Sequence, residues 1–237
     1  MKVRSQSGAF RMAAAGAMVA ALIYGMNGFA APKQPRIATG DDEEITHDGL
    51  YRVDKSVVDA AWVKPDLDLT GYTKLMIGPS TIAYKKLDPV SDFQARSETQ
   101  FPVQEENKAR FEQILKEEFT EQLEKLERYE IVTAPGPDVL LLVGGVLDVV
   151  SFVPPTLDSA SFGRGGVYLQ SVGSAVLVVE LRDSLSGEVL ARGADGRAAE
   201  SPFAFEANSV TVWSEVRRLA QYWANLLVDR LNEFEKI

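Results

Sequence analysis

Residues 173–193 read GSAVLVVELRDSLSGEVLARG, and their pattern predicts two strands joined by a tight turn. Ala175, Leu177, Val179 and Leu181 fall on one face of the first strand, while Val176, Val178, Glu180 and Arg182 fall on the other. That two-residue period is the mark of a strand with one buried face. Asp183-Ser184-Leu185-Ser186-Gly187 supplies the turn, because Asp and Ser side chains bond nearby backbone and Gly accepts positive φ. Glu188–Arg192 then returns, with Val189 and Ala191 alternating against the charged Glu188 and Arg192. The hairpin is expected at the middle of an antiparallel sheet.

Upstream, Val139–Val150 (VLLLVGGVLDVV) is apolar on both faces, as a strand near a sheet centre should be, with a bend or bulge expected at Gly144-Gly145. Lys74-Leu75-Met76-Ile77 is a short buried strand, and Thr81–Tyr84 follows after a break at Gly78-Pro79. Tyr129–Thr133 is a further strand, stopped by Ala134-Pro135-Gly136-Pro137. Trp62-Val63-Lys64-Pro65 is extended, since the residue before proline avoids the helical region.

Two helices flank the strands. In 105–126, Phe111, Ile114, Leu115, Phe119, Leu123 and Leu126 repeat every three or four residues, and Glu112–Lys116 and Glu121–Lys125 are favourably oriented pairs. The last helix starts at an Asn208 or Ser209 cap and runs to Phe234. Its stripe is Trp213, Val216, Ala220, Trp223, Leu227, Leu231 and Phe234, and it is expected to cover one face of the sheet. Between hairpin and helix lies a polar stretch to Ala207. The fold class is therefore α+β: a mainly antiparallel sheet with two helices packed on it, in the order strand-helix-strand-strand-hairpin-helix.

The 237-residue chain, with 46% hydrophobic residues and three Trp, can bury a sizeable core. Its formal charge of −9 disfavours a phosphate-neutralising surface, so nucleic acid is not an expected partner. The N-terminus has the three parts of a secretory signal peptide. Lys2, Arg4 and Arg11 are basic; Met12–Met26 is apolar; Asn27-Gly28-Phe29-Ala30 ends in small residues suited to cleavage after Ala30. The apolar run is short for a membrane span, so no integral span is expected in the mature chain. The expected organisation is a signal peptide over 1–30, a flexible acidic leader over 31–46 and a single α+β domain over 47–237, in a periplasmic protein. The chain has no Cys, which excludes disulfides, thiolate sites and the lipobox of a lipoprotein.

No set of residues converges on a reaction. His47 is the sole histidine and stands at the edge of the leader, and no Gly-x-Ser-x-Gly elbow is present. A histidine- or cysteine-based metal site is excluded. The run Asp41-Asp42-Glu43-Glu44 lacks the alternation of a calcium loop. Phe162-Gly163-Arg164-Gly165-Gly166 lacks the Lys-Ser/Thr ending of a phosphate loop. Asp148, Glu180 and Asp183 could supply a carboxylate pair for a hydrolase, as any acidic protein could. No catalytic, cofactor-binding or metal residue is assigned. The loop 151–166 is long and rich in Pro and Gly, and Phe152, Phe162, Arg164 and Tyr168 in and beside it form the candidate partner or ligand surface.

Three segments resemble a known family: His47-Asp48-Gly49-Leu50, Trp62-Val63-Lys64-Pro65 with Asp68-Leu69-Thr70-Gly71-Tyr72, and Val178–Ala191 around Asp183-Ser184-Leu185-Ser186-Gly187-Glu188. Together they look like domain-of-unknown-function family 3313, exported proteobacterial proteins of which many are predicted lipoproteins. The resemblance spans about 47–236. It implies export and an envelope setting, but it carries no activity and no catalytic residues. The chain departs from the lipoprotein members in having no lipobox Cys. The expected function is that of a non-enzymatic periplasmic accessory protein with an envelope-protein partner and the capacity to self-associate. A small-ligand or peptide binder at 151–166 is the alternative, and a carboxylate-dependent hydrolase the third reading.

Overall fold

Eight strands and two long helices make up the fold of the computed structural model, which describes residues 36–88, 99–155 and 166–233. The strands are β1 (Arg36–Ile37), β2 (Tyr51–Asp54), β3 (Ala60–Val63), β4 (Lys74–Tyr84), β5 (Glu130–Val132), β6 (Val139–Ser151), β7 (Tyr168–Asp183) and β8 (Val189–Glu206). Helix α1 (Glu105–Leu123) lies between β4 and β5, and α2 (Ser209–Glu233) follows β8. The sheet order is β1-β2-β3-β8-β7-β6-β4-β5. The signal-peptide segment, the cut near Ala30 and Phe234 lie outside the described residues.

The α+β class holds, with the hairpin β7–β8 in the middle of the sheet. Its turn forms as the residues dictate. Asp183 Oδ1 accepts from the backbone N–H of Leu185 (3.1 Å) and Ser186 (2.7 Å), and Gly187 takes φ 72°. The sheet is mainly antiparallel, as expected, and includes parallel pairing of β4 with both β5 and β6. Two expectations need correction. The chain enters the sheet three strands earlier than the expected order: β1, β2 and β3 form an antiparallel meander that pairs with β8. These strands have two to four residues each, too short for a clear period. In addition, the stretch before Ala207 belongs to β8 up to Glu206. Its many charged and small residues, Asp195, Gly196, Arg197 and Glu200 among them, gave it the look of a loop.

Bulges also fall elsewhere than expected. Gly144 and Gly145 stay in register with Val179 and Val178, and the irregularity comes at 147–150, where Asp148 takes φ 52°. Asp is among the few residues that visit the left-handed region. Strand β4 runs through Gly78-Pro79 without a break, absorbing the pair as a register shift against β6.

Both helices cover one face. Leu142, Val146, Leu177, Val179 and Leu181 share it with Val63 and Ala191 across the register. One core cluster fills the side toward the β7–β8 turn, with Leu75, Leu123, Leu140, Val228 and Leu231. A second joins Ile114, Leu115, Val146, Ala175, Ala220 and Trp223. As expected, the stripe of α2 buries Ala220, Trp223 and Leu231; Ala224 and Val228 join it. In α1, Ile114, Leu115 and Leu123 are buried, and Glu121 pairs with Lys125 at 3.2 Å. Asn208 caps α2, its Oδ1 accepting from Val210 N (2.9 Å) and Thr211 N (3.1 Å).

Two buried acids lock the helices in place. Asp195 on β8 is 1% exposed, and its Oδ2 accepts from Trp223 Nε1 at 2.9 Å and from Arg197 Nε at 2.7 Å. Glu118 on α1 is 2% exposed and accepts from the Arg217 guanidinium of α2. A buried carboxylate is tolerated only when so paired.

Candidate functional site

The two ends of the sheet differ in chemistry, and the candidate site lies at the end where β6 stops and β7 begins. Both helices present their N-termini there. Between them and the sheet is a cavity of about 350 Å³. Its walls include Phe111 of α1, Val149 of β6, Val172 of β7, and Val212, Trp213 and Val216 of α2. Val153 and Pro154, from the first residues after β6, close one side. Gln104, Glu106, Asn107 and Ser209 stand at its rim. Arg110 crosses from α1 to α2: its guanidinium lies 4.7 Å from the centroid of the Trp213 ring, and NH1 donates to Ser209 Oγ at 3.4 Å. Gly173 is required on the floor, because a Cβ there would run into the Val150 carbonyl oxygen of the paired strand.

Of the expected surface residues, Phe152 is half-buried and its N–H donates to Val172 O at 2.9 Å, holding the start of the loop against β7. Tyr168 is the first residue of β7, paired with Glu206 and 66% exposed. Phe162 and Arg164 lie outside the described residues. The structure adds two residues at this end that the sequence pattern did not single out. Phe203, on the last stretch of β8, is 81% exposed, and Val210, in the first turn of α2, is 78% exposed. Glu206 pairs with Tyr168 and Ser209 begins α2, so all three side chains belong to one end of the molecule. The signal was present in Ser201-Pro202-Phe203-Ala204-Phe205-Glu206, whose alternating Phe residues are strand-like, but it sat in a stretch read as polar connection.

The opposite face of the sheet carries no helix among the described residues. Met76, Leu141, Val143, Val178 and Ala194 alternate with core residues and stay half-buried on it. Toward β2 it bears a polar ladder. Arg192 donates to Asp48 Oδ2 and to Glu180 Oε1, each at 2.7 Å, and Arg182 Nε donates to Glu180 Oε2 at 2.9 Å. Trp62 stands between Arg192 and Arg52, and the Arg52 guanidinium lies 5.6 Å from its ring. The Thr46 hydroxyl and then Arg192 hold the Asp48 carboxyl down at about 2. Burial alone would raise Glu180; Arg182 and Arg192 outweigh it and keep that carboxyl below its ordinary value.

The three carboxylates considered for catalysis thus have separate structural settings. Glu180 is held by two arginines, Asp183 caps the hairpin turn and accepts from Tyr72 OH at 3.0 Å, and Asp148 occupies the bulge. His47 is exposed in a turn. Among the described residues no three His, Cys, Asp or Glu are grouped to hold a metal, and no helix is long and apolar enough to cross a membrane.

No curated protein matches the chain. Solved structures similar to it include the PelC dodecamer from Paraburkholderia phytofirmans, 13% identical over 74% of this chain and 98% of that one, with TM-score 0.33. A neuraminyllactose-binding hemagglutinin homolog from Helicobacter pylori is 12% identical over 70% of this chain and 86% of that one, with TM-score 0.37. A DUF330 protein from Xanthomonas campestris is 10% identical over 68% and 84%, with TM-score 0.38. Residues 45–227 match DUF3313, a protein family of unknown function, and the chain belongs to that family.

Proposed function

We propose that this chain is an exported, non-enzymatic accessory protein of the cell envelope, and that it works by binding an envelope protein through the end of the sheet that carries Tyr168, Phe203 and Val210. The exposure of these three large apolar side chains at one end carries the reading. Single exposed apolar residues are ordinary, but several gathered beside an open apolar cavity are typical of a contact surface. The signal-like N-terminus supports export, and the engagement of Glu180 and Asp183 in fold-building contacts supports a role without chemistry.

Site-specific photo-cross-linking in cells tests it. A cross-linker at Phe203 is compared with one at Leu185, which is 62% exposed at the far turn. Recurrent capture of one envelope protein from position 203 and not from 185 is expected. Equal capture from both, capture of the chain alone, or a hydrolytic activity lost in Asp148→Asn would overturn the proposal.

A further inference from the structure

The cavity between the helix N-termini is a separate feature from the exposed surface beside it, and its chemistry points to a different kind of ligand. Its volume of about 350 Å³ lies at the lower end of the range for small-molecule sites, ~300–1,000 Å³. The walls named above are aliphatic and aromatic carbon: Phe111, Val149, Val172, Val212, Trp213 and Val216. Buried side-chain polar atoms without a hydrogen-bond partner among the described residues occur on Trp62, Glu118 and Asp195, and none of these residues lines the cavity. Ser151 and Ser174 are the polar side chains of the lining away from the rim, and Ser151 already bonds Val153 at 3.2 and 3.0 Å, so these walls favour an occupant chiefly for its apolar area.

The rim is different. Gln104, Asn107 and Ser209 are neutral hydrogen-bonding groups. Glu106 supplies one negative charge, and Arg110, just behind the lining and bonded to the rim residue Ser209, supplies one positive charge with no carboxylate in ion-pair range among the described residues. An apolar chamber under a polar rim with balanced charge fits an amphiphile. The −9 charge of the whole chain repels a bare anion, whereas a head with no net charge meets no such field, and a zwitterion can satisfy Arg110 and Glu106 together.

We propose that this cavity takes the alkyl chain of a single-chain amphiphile, with an uncharged or zwitterionic head held at the rim by Gln104, Asn107, Ser209 and Arg110. The inference does not depend on the protein partner: the cavity can bind an amphiphile whether or not Phe203 contacts an envelope protein.

The test uses purified protein and monomeric dodecylphosphocholine, dodecyl maltoside and laurate, each below its micelle concentration, followed by calorimetry and tryptophan fluorescence. Saturable one-to-one binding is expected for the first two, with laurate at least about tenfold weaker. Val212→Phe, which fills the chamber, should abolish binding, and Leu185→Ser, at the exposed far turn, should leave binding unchanged. If Val212→Phe does not fold, Val103→Phe fills the chamber from the opposite side. Absence of saturable binding by the wild type, or equal binding by a folded chamber-filled variant, would overturn the proposal. Tightest binding by laurate would overturn the assignment of the head.

Discussion

The two ends of this sheet are built to opposite plans. At the turn end, polar side chains tie every neighbouring element together. Asp183 holds its own turn and Tyr72 at once; Ser184 exchanges hydrogen bonds with Gly136 at 3.0 and 3.1 Å; Lys74 pairs with Asp138 at 2.9 Å; Lys64 pairs with Glu188. Asn232 near the end of α2 accepts from the backbone of Glu127 at 3.1 Å and Arg128 at 3.3 Å. Beneath these ties lies the aliphatic cluster of Leu75, Leu140 and Leu231. At the other end the core opens into a cavity, and Tyr168, Phe203 and Val210 face water. The difference separates two tasks: one end spends its polar groups on holding the fold, which leaves the other free to present apolar surface. Positioning a binding surface on a rigid scaffold requires that division.

Four substitutions sharpen or break the contrast. Leu140→Ala removes a side chain with no exposure in the turn-end core and should cost about 2–5 kcal/mol in urea unfolding. Asp183→Ala strips the turn of its acceptor and leaves Tyr72 unpartnered by it; a loss of about 1–3 kcal/mol is expected in the same assay. Asp48→Asn should cost about 1 kcal/mol near neutral pH. Its carboxyl is held at about 2 in the fold against an ordinary 3.8. The stabilisation is therefore complete above about pH 4 and is lost as pH falls toward 2. Wild-type and variant unfolding midpoints should converge over that interval, and a constant gap down to pH 2 would remove the ion-pair explanation. Phe203→Ser should change stability by less than about 0.5 kcal/mol while abolishing partner capture. If it proves as costly as Asp183→Ala, the two ends are not divided in this way.

The centre of the sheet was legible because β6, β7 and the near half of β8 are long and strongly patterned, and because Asp183 and Gly187 fix the turn chemically. Both helices were legible from their stripes. The N-terminal meander was not, since β1 to β3 depend on pairing with β8, far away in sequence, and carry little pattern of their own. Parallel pairing of β4 was hidden for the same reason: strand direction is set by the α1 crossover, and nothing local in Lys74–Tyr84 encodes it. At the candidate site, Tyr168 was visible as an aromatic beside a loop. The cavity was invisible, because Phe111, Val149, Val172 and Trp213 each look like ordinary core positions until the elements are assembled.

The pairing of β3 with β8 also governs when the molecule can be completed. Ala60 lies beside Ala194 and Val63 beside Ala191, so the first strands of the chain meet nearly the last. Local hairpins such as β7–β8 close quickly, whereas contacts between distant segments wait on a large loss of chain entropy. A chain emerging from its N-terminus first can pair Trp62 and Val63 with β2, but must leave their other edge open until Ala191 and Arg192 are out. A species ending before Val189 would expose the bare edges of both β3 and β7, a template for joining one unfinished chain to another.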